Sequence, residues 1–145
     1  MTLTELLKGS DYKLGQFNPQ QISALEQSIL SEELRGKPTY YVNCLVRRKK
    51  IKLTPEEAVR QLYLMVLIDD LGYPTERMSI EYGVTFGRET KRADICIFDK
   101  DRPTVPYILV ELKKPKLKDG KEQLHSYCNA TGAPMGVWSN GESIS

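Results

Sequence analysis

Apolar and polar positions recur along this chain with periods that predict its elements. From Pro19 to Glu33, the residues Ile22, Leu25, Ile29 and Leu30 are spaced for one face of a helix. Asn18 is placed to cap it and Pro19 occupies its first position, with Gly36-Lys37-Pro38 as the terminator. Tyr40, Val42, Cys44 and Val46 then alternate with Tyr41, Asn43 and Leu45, the period of a strand, and Ile51-Lys52-Leu53 reads as its return partner. Thr54-Pro55-Glu56-Glu57 starts a second helix, with Thr54 as cap and Glu57 completing a capping box. This helix runs through Val59, Leu62, Val66 and Leu67 to about Leu71, where Gly72 closes it. Ile80, Tyr82, Val84 and Phe86 alternate as a strand ending at Gly87. Two apolar runs follow, Ala93–Phe98 and Pro106–Lys113, then a helix over residues 120–130 and a last strand over residues 135–139.

The order helix, three strands, helix, strand predicts an α/β fold with a mixed central sheet flanked by helices. The strand–helix–strand connection into residues 135–139 makes the last two strands parallel. Residues 1–39 are expected to be a helical extension and residues 40–145 the main domain. Asn140-Gly141 is a strong hairpin signal, but too little chain follows for a full strand, so the sequence is expected to be part of a longer protein.

Charge changes the picture where it interrupts the apolar runs. Asp94 lies inside one, and Glu111 and Lys113 inside the next; burying such groups is costly unless they are compensated. If the two runs form an antiparallel hairpin with Phe98 opposite Tyr107, Asp94 falls opposite Glu111. Carboxylates facing each other repel, and a divalent cation between them removes the conflict. Mg²⁺ prefers oxygen donors and retains several waters, so Asp94, Glu111 and the main-chain carbonyl of Leu112 form a candidate metal set. Mn²⁺ is an alternative occupant. Lys113 shares a face with Glu111 and can orient a water or stabilise charge on a phosphate. Lys114 points to the other face. Without a metal, the same residues read as a structural Asp94–Lys113 ion pair at a sheet end.

Helix residues add to this chemistry. Glu57 serves either as the capping-box acid or as a further acid facing the metal, and Arg60 and Gln61, one turn on, can position it or a phosphate. Gln123 and Tyr127 are four apart and share a helix face, while the single histidine, His125, points elsewhere and reads as solvated.

Composition sets limits. The chain has 145 residues, 40% of them hydrophobic, and a net charge of only +2, so a nucleic-acid partner must be argued from local clusters. Arg47-Arg48-Lys49-Lys50 with Lys52 reads as a solvated run. The cluster Lys113, Lys114, Lys116, Lys118 and Lys121 begins inside the Asp–Glu–Lys motif and reads as substrate contact. Three cysteines at irregular spacing, Cys44, Cys96 and Cys128, argue against a disulfide framework and a zinc site, and suit buried thiols in a reducing cytoplasm. No stretch is long enough to span a membrane, and the N-terminus lacks the pattern of a signal peptide.

The ordered set Thr54-Pro55-Glu56-Glu57-x-Val59-Arg60-Gln61, Gly72-Tyr73-Pro74, Arg92-x-Asp94-Ile95, Val110-Glu111-Leu112-Lys113-Lys114-Pro115, Gln123-x-x-x-Tyr127 and Ser139-Asn140-Gly141 resembles the N-terminal nuclease domain of type I restriction enzyme R subunits. That domain belongs to the PD-(D/E)XK nuclease superfamily, in the branch carrying a Gln-x-x-x-Tyr motif. The resemblance covers residues 40–141. It implies a restriction-endonuclease-like core and a Mg²⁺-dependent DNA endonuclease that hydrolyses phosphodiesters. Glu57 would be the first-helix acid, although the neighbouring Glu56 is also open; Asp94 and Glu111 would bind metal, and Lys113 would complete the Glu-x-Lys pair. Gln123 and Tyr127 would support DNA or the lysine, with Arg60, Lys114, Lys116 and Lys118 at the DNA backbone. It further implies double-stranded DNA as substrate and methylation and specificity subunits as partners. Ala93 stands where the superfamily name has a proline, and no Gly-rich Lys-Ser/Thr phosphate loop occurs, so this chain holds no motor. The alternative is a nuclease-like DNA-binding module that is inactive alone or needs the rest of a restriction complex.

Overall fold

The computed structural model describes residues 2–10, 12–86, 88–112, 124 and 128–139. It is an α/β protein with two sheets. Helices α1 (Leu3–Leu7) and α2 (Pro19–Gln27) precede an antiparallel sheet of β1 (Leu30–Leu34), β2 (Lys37–Asn43) and β3 (Lys50–Lys52). Helix α3 (Pro55–Met65) runs into a π-helical turn, Val66–Asp70. A second sheet has the order β4 (Met78–Phe86), β5 (Glu89–Phe98), β6 (Pro106–Leu112), β7 (Met135–Ser139), antiparallel except for the parallel β6–β7 pair.

Local chemistry explains most boundaries. Asn18 Oδ1 accepts from Gln21 N at 2.7 Å and Pro19 opens α2, as its sequence dictates. The predicted helix to Glu33 stops early, however. Ser28 turns its hydroxyl onto the Leu25 carbonyl at 2.7 Å and ends α2 at Gln27. Residues 30–34 then pair with β2 through the two-residue turn Arg35-Gly36. Both turn residues have positive φ, 53° and 75°, as a hairpin of this length requires. The terminator expected at Gly36 is therefore a hairpin turn, and the segment expected as a helical extension also carries β1 and the start of β2.

Alternation along β5 and β6 buries the second sheet on both faces. Ile95, Ile97, Ile108, Val110 and Leu112 join one core with Leu3, Leu7, Phe17 and Leu25 of the N-terminal segment and Val59, Leu62 and Tyr63 of α3. Cys96 and Leu109 join another with Val84, Leu124 and Ala133. Cys44 and Cys96 are buried free thiols and Cys128 is half-buried. Among the described residues, no helix is long and apolar enough to cross a membrane.

The hairpin register matters most for the site. Ile95 pairs with Val110, Cys96 with Leu109 and Ile97 with Ile108, so Asp94 and Glu111 take the next opposed position. Phe98 lies opposite Pro106 rather than the expected Tyr107, because a bulge intervenes after Ile97. Arg77 secures this irregular point by donating to the Phe98 carbonyl at 2.9 and 2.7 Å.

Gly136 of β7 shows how closely the connecting segment packs on the sheet. A Cβ there would lie 2.9 Å from Cys128 Sγ and 3.0 Å from Leu124 Cγ. Gly136→Ala is expected to destabilise the fold by about 1–3 kcal/mol, the usual cost of overpacking; chemical denaturation checks this, and an unchanged midpoint would show that the segment yields freely.

Candidate active site

Thr54 Oγ1 accepts from Glu57 N at 3.1 Å and Pro55 starts α3, so the capping sequence fixes where this helix begins. The Glu57 carboxylate does not close the box on itself. It accepts from Gln61 Nε2 at 3.0 Å and lies 3.5 Å from Arg60 Nε. The sequence expectation that Arg60 and Gln61 position Glu57 describes these contacts. Gln61, fully buried, also accepts from Leu45 N at 3.1 Å, which ties the β2–β3 turn to the helix.

Arg60 is the centre of the cluster. Its side chain is 5% exposed, and its guanidinium lies 3.5 Å from Glu57, 3.7 Å from Glu81, 3.9 Å from Asp94 and 4.0 Å from Glu56. These are ion-pair distances, longer than a good hydrogen bond. One cation therefore serves four carboxyl groups by charge rather than by directed bonds. Arg60 was expected to position Glu57 or a phosphate; in this structure its guanidinium lies among carboxyl groups, Glu57 included.

Asp94 is 7% exposed and Glu111 fully buried. Asp94 Oδ2 accepts from Leu112 N at 2.7 Å, so Asp94 reaches across to the end of β6. Burial pushes its carboxyl up to about 7; the Leu112 N–H opposes this, Glu56 adds to it and Arg60 opposes it. Of the two helix acids left open by the sequence, Glu56 helps raise the Asp94 carboxyl, while Glu57 pairs with Arg60 and Gln61.

Two members of this site had no clear sequence signal. Glu81 lies between the pairs Ile80–Ile95 and Tyr82–Ala93, which places it opposite Asp94. Glu81, Asp94 and Glu111 thus form a row of acids across β4, β5 and β6. Glu81 adopts φ 53°, a left-handed conformation that costs a non-glycine residue about 1 kcal/mol or more and concentrates at functional sites. Burial opposes its ionisation, but Arg60, Arg47 and Arg92 outweigh that and hold it below the usual carboxylate range. Tyr12, one hundred positions from β6 in the chain, donates its hydroxyl to the Leu112 carbonyl at 3.4 Å. Burial, then Glu56 and Asp94, push the Tyr12 phenol well above its ordinary value, so it stays a neutral donor. Ser10, Tyr12, Thr54, Pro55 and Glu56 line a cleft of about 310 Å³ beside the cluster.

Lys113, Lys114, Lys116, Lys118, Gln123, His125 and Tyr127 lie outside the described residues. Among the described residues, no three His, Cys, Asp or Glu side chains form a ready metal cage. The oxygen donors expected from the sequence, the Asp94 and Glu111 carboxylates and the Leu112 carbonyl, lie on opposed or adjacent positions of β5 and β6. Such a set suits a hard cation that keeps waters in its remaining positions.

Glu56 and Glu57 of α3, Glu81 and Asp94, gathered around one buried arginine, with Glu111 opposite Asp94 in register, define an acidic site on a mixed sheet. The family model for the N terminus of type I restriction enzyme R proteins matches residues 55–145, and the chain belongs to that family. No curated protein and no solved structure matches the chain.

Removing Arg60 leaves the largely buried Asp94 and Glu57 without their shared cation. Arg60→Met is expected to cost about 3–5 kcal/mol in denaturation, as for other broken buried ion pairs. A loss below about 1 kcal/mol would mean that the cluster does not depend on the guanidinium.

Proposed function

We propose that this chain is a Mg²⁺-dependent DNA endonuclease domain of a type I restriction R subunit, hydrolysing phosphodiester bonds in duplex DNA. The observation that carries this reading is the placement of Asp94 and Glu111 at opposed positions of β5 and β6, with Asp94 accepting from the Leu112 N–H and lying beside Arg60 of α3. The sheet-and-helix arrangement around them agrees with a PD-(D/E)XK core.

Asp94, Glu111 and the Leu112 carbonyl would hold the cation, with Mn²⁺ able to replace Mg²⁺ on the same oxygens. A divalent cation there supplies charge neutralisation at the phosphate and acidifies water. The protein's own groups do the positioning. The Leu112 N–H fixes Asp94. The Tyr12 hydroxyl donates to the Leu112 carbonyl and fixes its direction. Arg60 holds the acids together and lowers their mutual repulsion. Lys113, two residues beyond Glu111, acts at the scissile phosphate, and Gln123 and Tyr127 support it. Glu57 orients Arg60 and Gln61. Lys114, Lys116 and Lys118 contact the DNA backbone. Methylation and specificity subunits supply the recognition sequence, because among the described residues no helix resembles a base-reading helix.

One observation favours a second reading, an inactive nuclease-like DNA-binding module. The Arg60 guanidinium, 3.9 Å from Asp94, already supplies positive charge inside the acidic cluster. Plasmid nicking separates the two. The chain is expected to nick supercoiled DNA with Mg²⁺ and not with EDTA, and Asp94→Asn, Glu111→Gln and Lys113→Ala should each abolish nicking. Asp94→Asn keeps an acceptor for the Leu112 N–H and is expected to leave the melting temperature nearly unchanged. No nicking by the wild-type chain, with duplex binding retained, would favour the inactive module.

A further inference from the structure

Two basic segments from different sheets meet at the edge of the acidic site, and neither is explained by the packing of the fold. The first is the turn between β2 and β3. Its backbone is closed by Arg48 N donating to Cys44 O at 2.8 Å and Cys44 N donating to Lys49 O at 2.9 Å. Arg48 takes φ 54°, and Arg47, Arg48 and Lys49 are all exposed. The second is the part of β5 that leads into Asp94, where Arg92 is 70% exposed on its side chain.

Glu81 joins the two. Its Oε2 lies 3.3 Å from Arg47 Nη2 and 3.5 Å from Arg92 Nη1. Arg47 also donates to the Ile80 carbonyl at 3.4 Å, which pins the turn to the outer edge of β4. The other carboxylate oxygen of Glu81 lies 3.7 Å from Arg60, which in turn lies 3.9 Å from Asp94. Alternating charges thus lead from an exposed basic surface to the buried acids. The anchoring is double, because Gln61 of α3 accepts from Leu45 N in the same turn.

Lys50, the last member of the basic run, behaves differently. It pairs with Glu32 and stacks over the Tyr41 ring at 4.9 Å, so it belongs to the small sheet. Arg48 and Lys49 have no such partner among the described residues. The strain at Arg48 and Glu81 and the exposure of three cations are unfavourable for a purely structural edge. They fit a surface that receives polyanion.

We infer that Arg48, Lys49 and Arg92, held in place through Arg47 and Glu81, form a docking surface for the phosphate backbone of duplex DNA that delivers the strand to Asp94. This rests on the nuclease reading above and adds a second contact surface, separate in sequence from the lysines after Glu111. The contacts are to phosphates, since exposed Arg and Lys on a turn and a strand edge reach the backbone without reading bases. Binding through this surface is therefore steeply salt-dependent and indifferent to sequence. The run Arg47–Lys50, expected from the sequence to be merely solvated, divides into a structural Lys50 and a DNA-facing Arg48–Lys49 pair.

The test is fluorescence anisotropy of the whole chain with labelled duplexes of two unrelated sequences, in EDTA so that no cutting occurs, across a range of salt. The variants are Arg48→Gln, Lys49→Gln and Arg92→Gln, singly and combined, with exposed Lys100→Gln in the β5–β6 loop as control. Each keeps a polar side chain at an exposed position, and melting temperatures verify the fold. The triple variant is expected to bind roughly tenfold or more weakly for both duplexes. The slope of log affinity against log salt should shrink by about 2–3, near 0.9 for each lost phosphate contact. Lys100→Gln should bind as the wild type does. Arg48→Lys and Arg92→Lys are expected to retain most of the affinity.

An unchanged slope in the triple variant, with wild-type binding intact, overturns this surface and leaves the nuclease reading standing. Equal loss of affinity for duplex DNA and for polyglutamate overturns the assignment to DNA in favour of a general anion patch. A wild-type chain that binds neither duplex at low salt overturns both this surface and the nuclease reading.

Discussion

The guanidinium of Arg60 is the point on which the acidic site depends. It is buried, carries a single positive charge and stands within 4.0 Å of carboxyl groups from α3, β4 and β5. Without it, the largely buried Asp94 and Glu57 would lose their cation, at a cost of several kcal/mol for a buried unpaired charge, while Glu56 and Glu81, more exposed and Glu81 still paired with Arg47 and Arg92, would lose less. Its presence lets the sheet bring acids to one end of adjacent strands while α3 closes over them. The arrangement remains short of positive charge. Asp94 records that shortage, because burial and Glu56 push its carboxyl up to about 7 even with Arg60 nearby.

Tertiary structure around the cluster is arranged to hold acceptors in fixed directions. The Leu112 backbone is held on both sides, its N–H by Asp94 and its carbonyl by Tyr12. The N-terminal segment is therefore joined to the site as well as to the core, through Leu3, Leu7, Tyr12 and Phe17. Glu81 connects the cluster outward to Arg47 and Arg92. The same residue that shields Arg60 on the inside orders the basic surface on the outside, which links the chemistry of the site to the approach of a polyanion.

Much of this was legible in the chain itself. The β5–β6 register followed from two apolar runs with acids at matching positions, and the parallel β6–β7 pair from the helix-length spacing between them. The capping residues Asn18 and Thr54 did what their chemistry dictates. The misses have physical causes. The α2 boundary moved because one serine hydroxyl competed for a backbone carbonyl, and periodicity does not register such a contest. The bulge at Ile97–Phe98 depends on Arg77, which comes from another element. Glu56 and Glu57 differ by about 100° around a helix, and only packing decides which one faces Asp94. Glu81 looked like an ordinary polar position of an alternating strand; its left-handed backbone and three arginine neighbours are tertiary facts. Tyr12 could not be assigned from a contact one hundred residues away.

The most direct test of the central claim is a crystal structure of the whole chain soaked in Mn²⁺, with the metal located by its anomalous signal. The account predicts one strong peak bound by Asp94, Glu111 and the Leu112 carbonyl, with Asp94 turned away from Arg60 toward the metal. A metal-saturated crystal with no peak there, and with Asp94 still paired to Arg60, would contradict it.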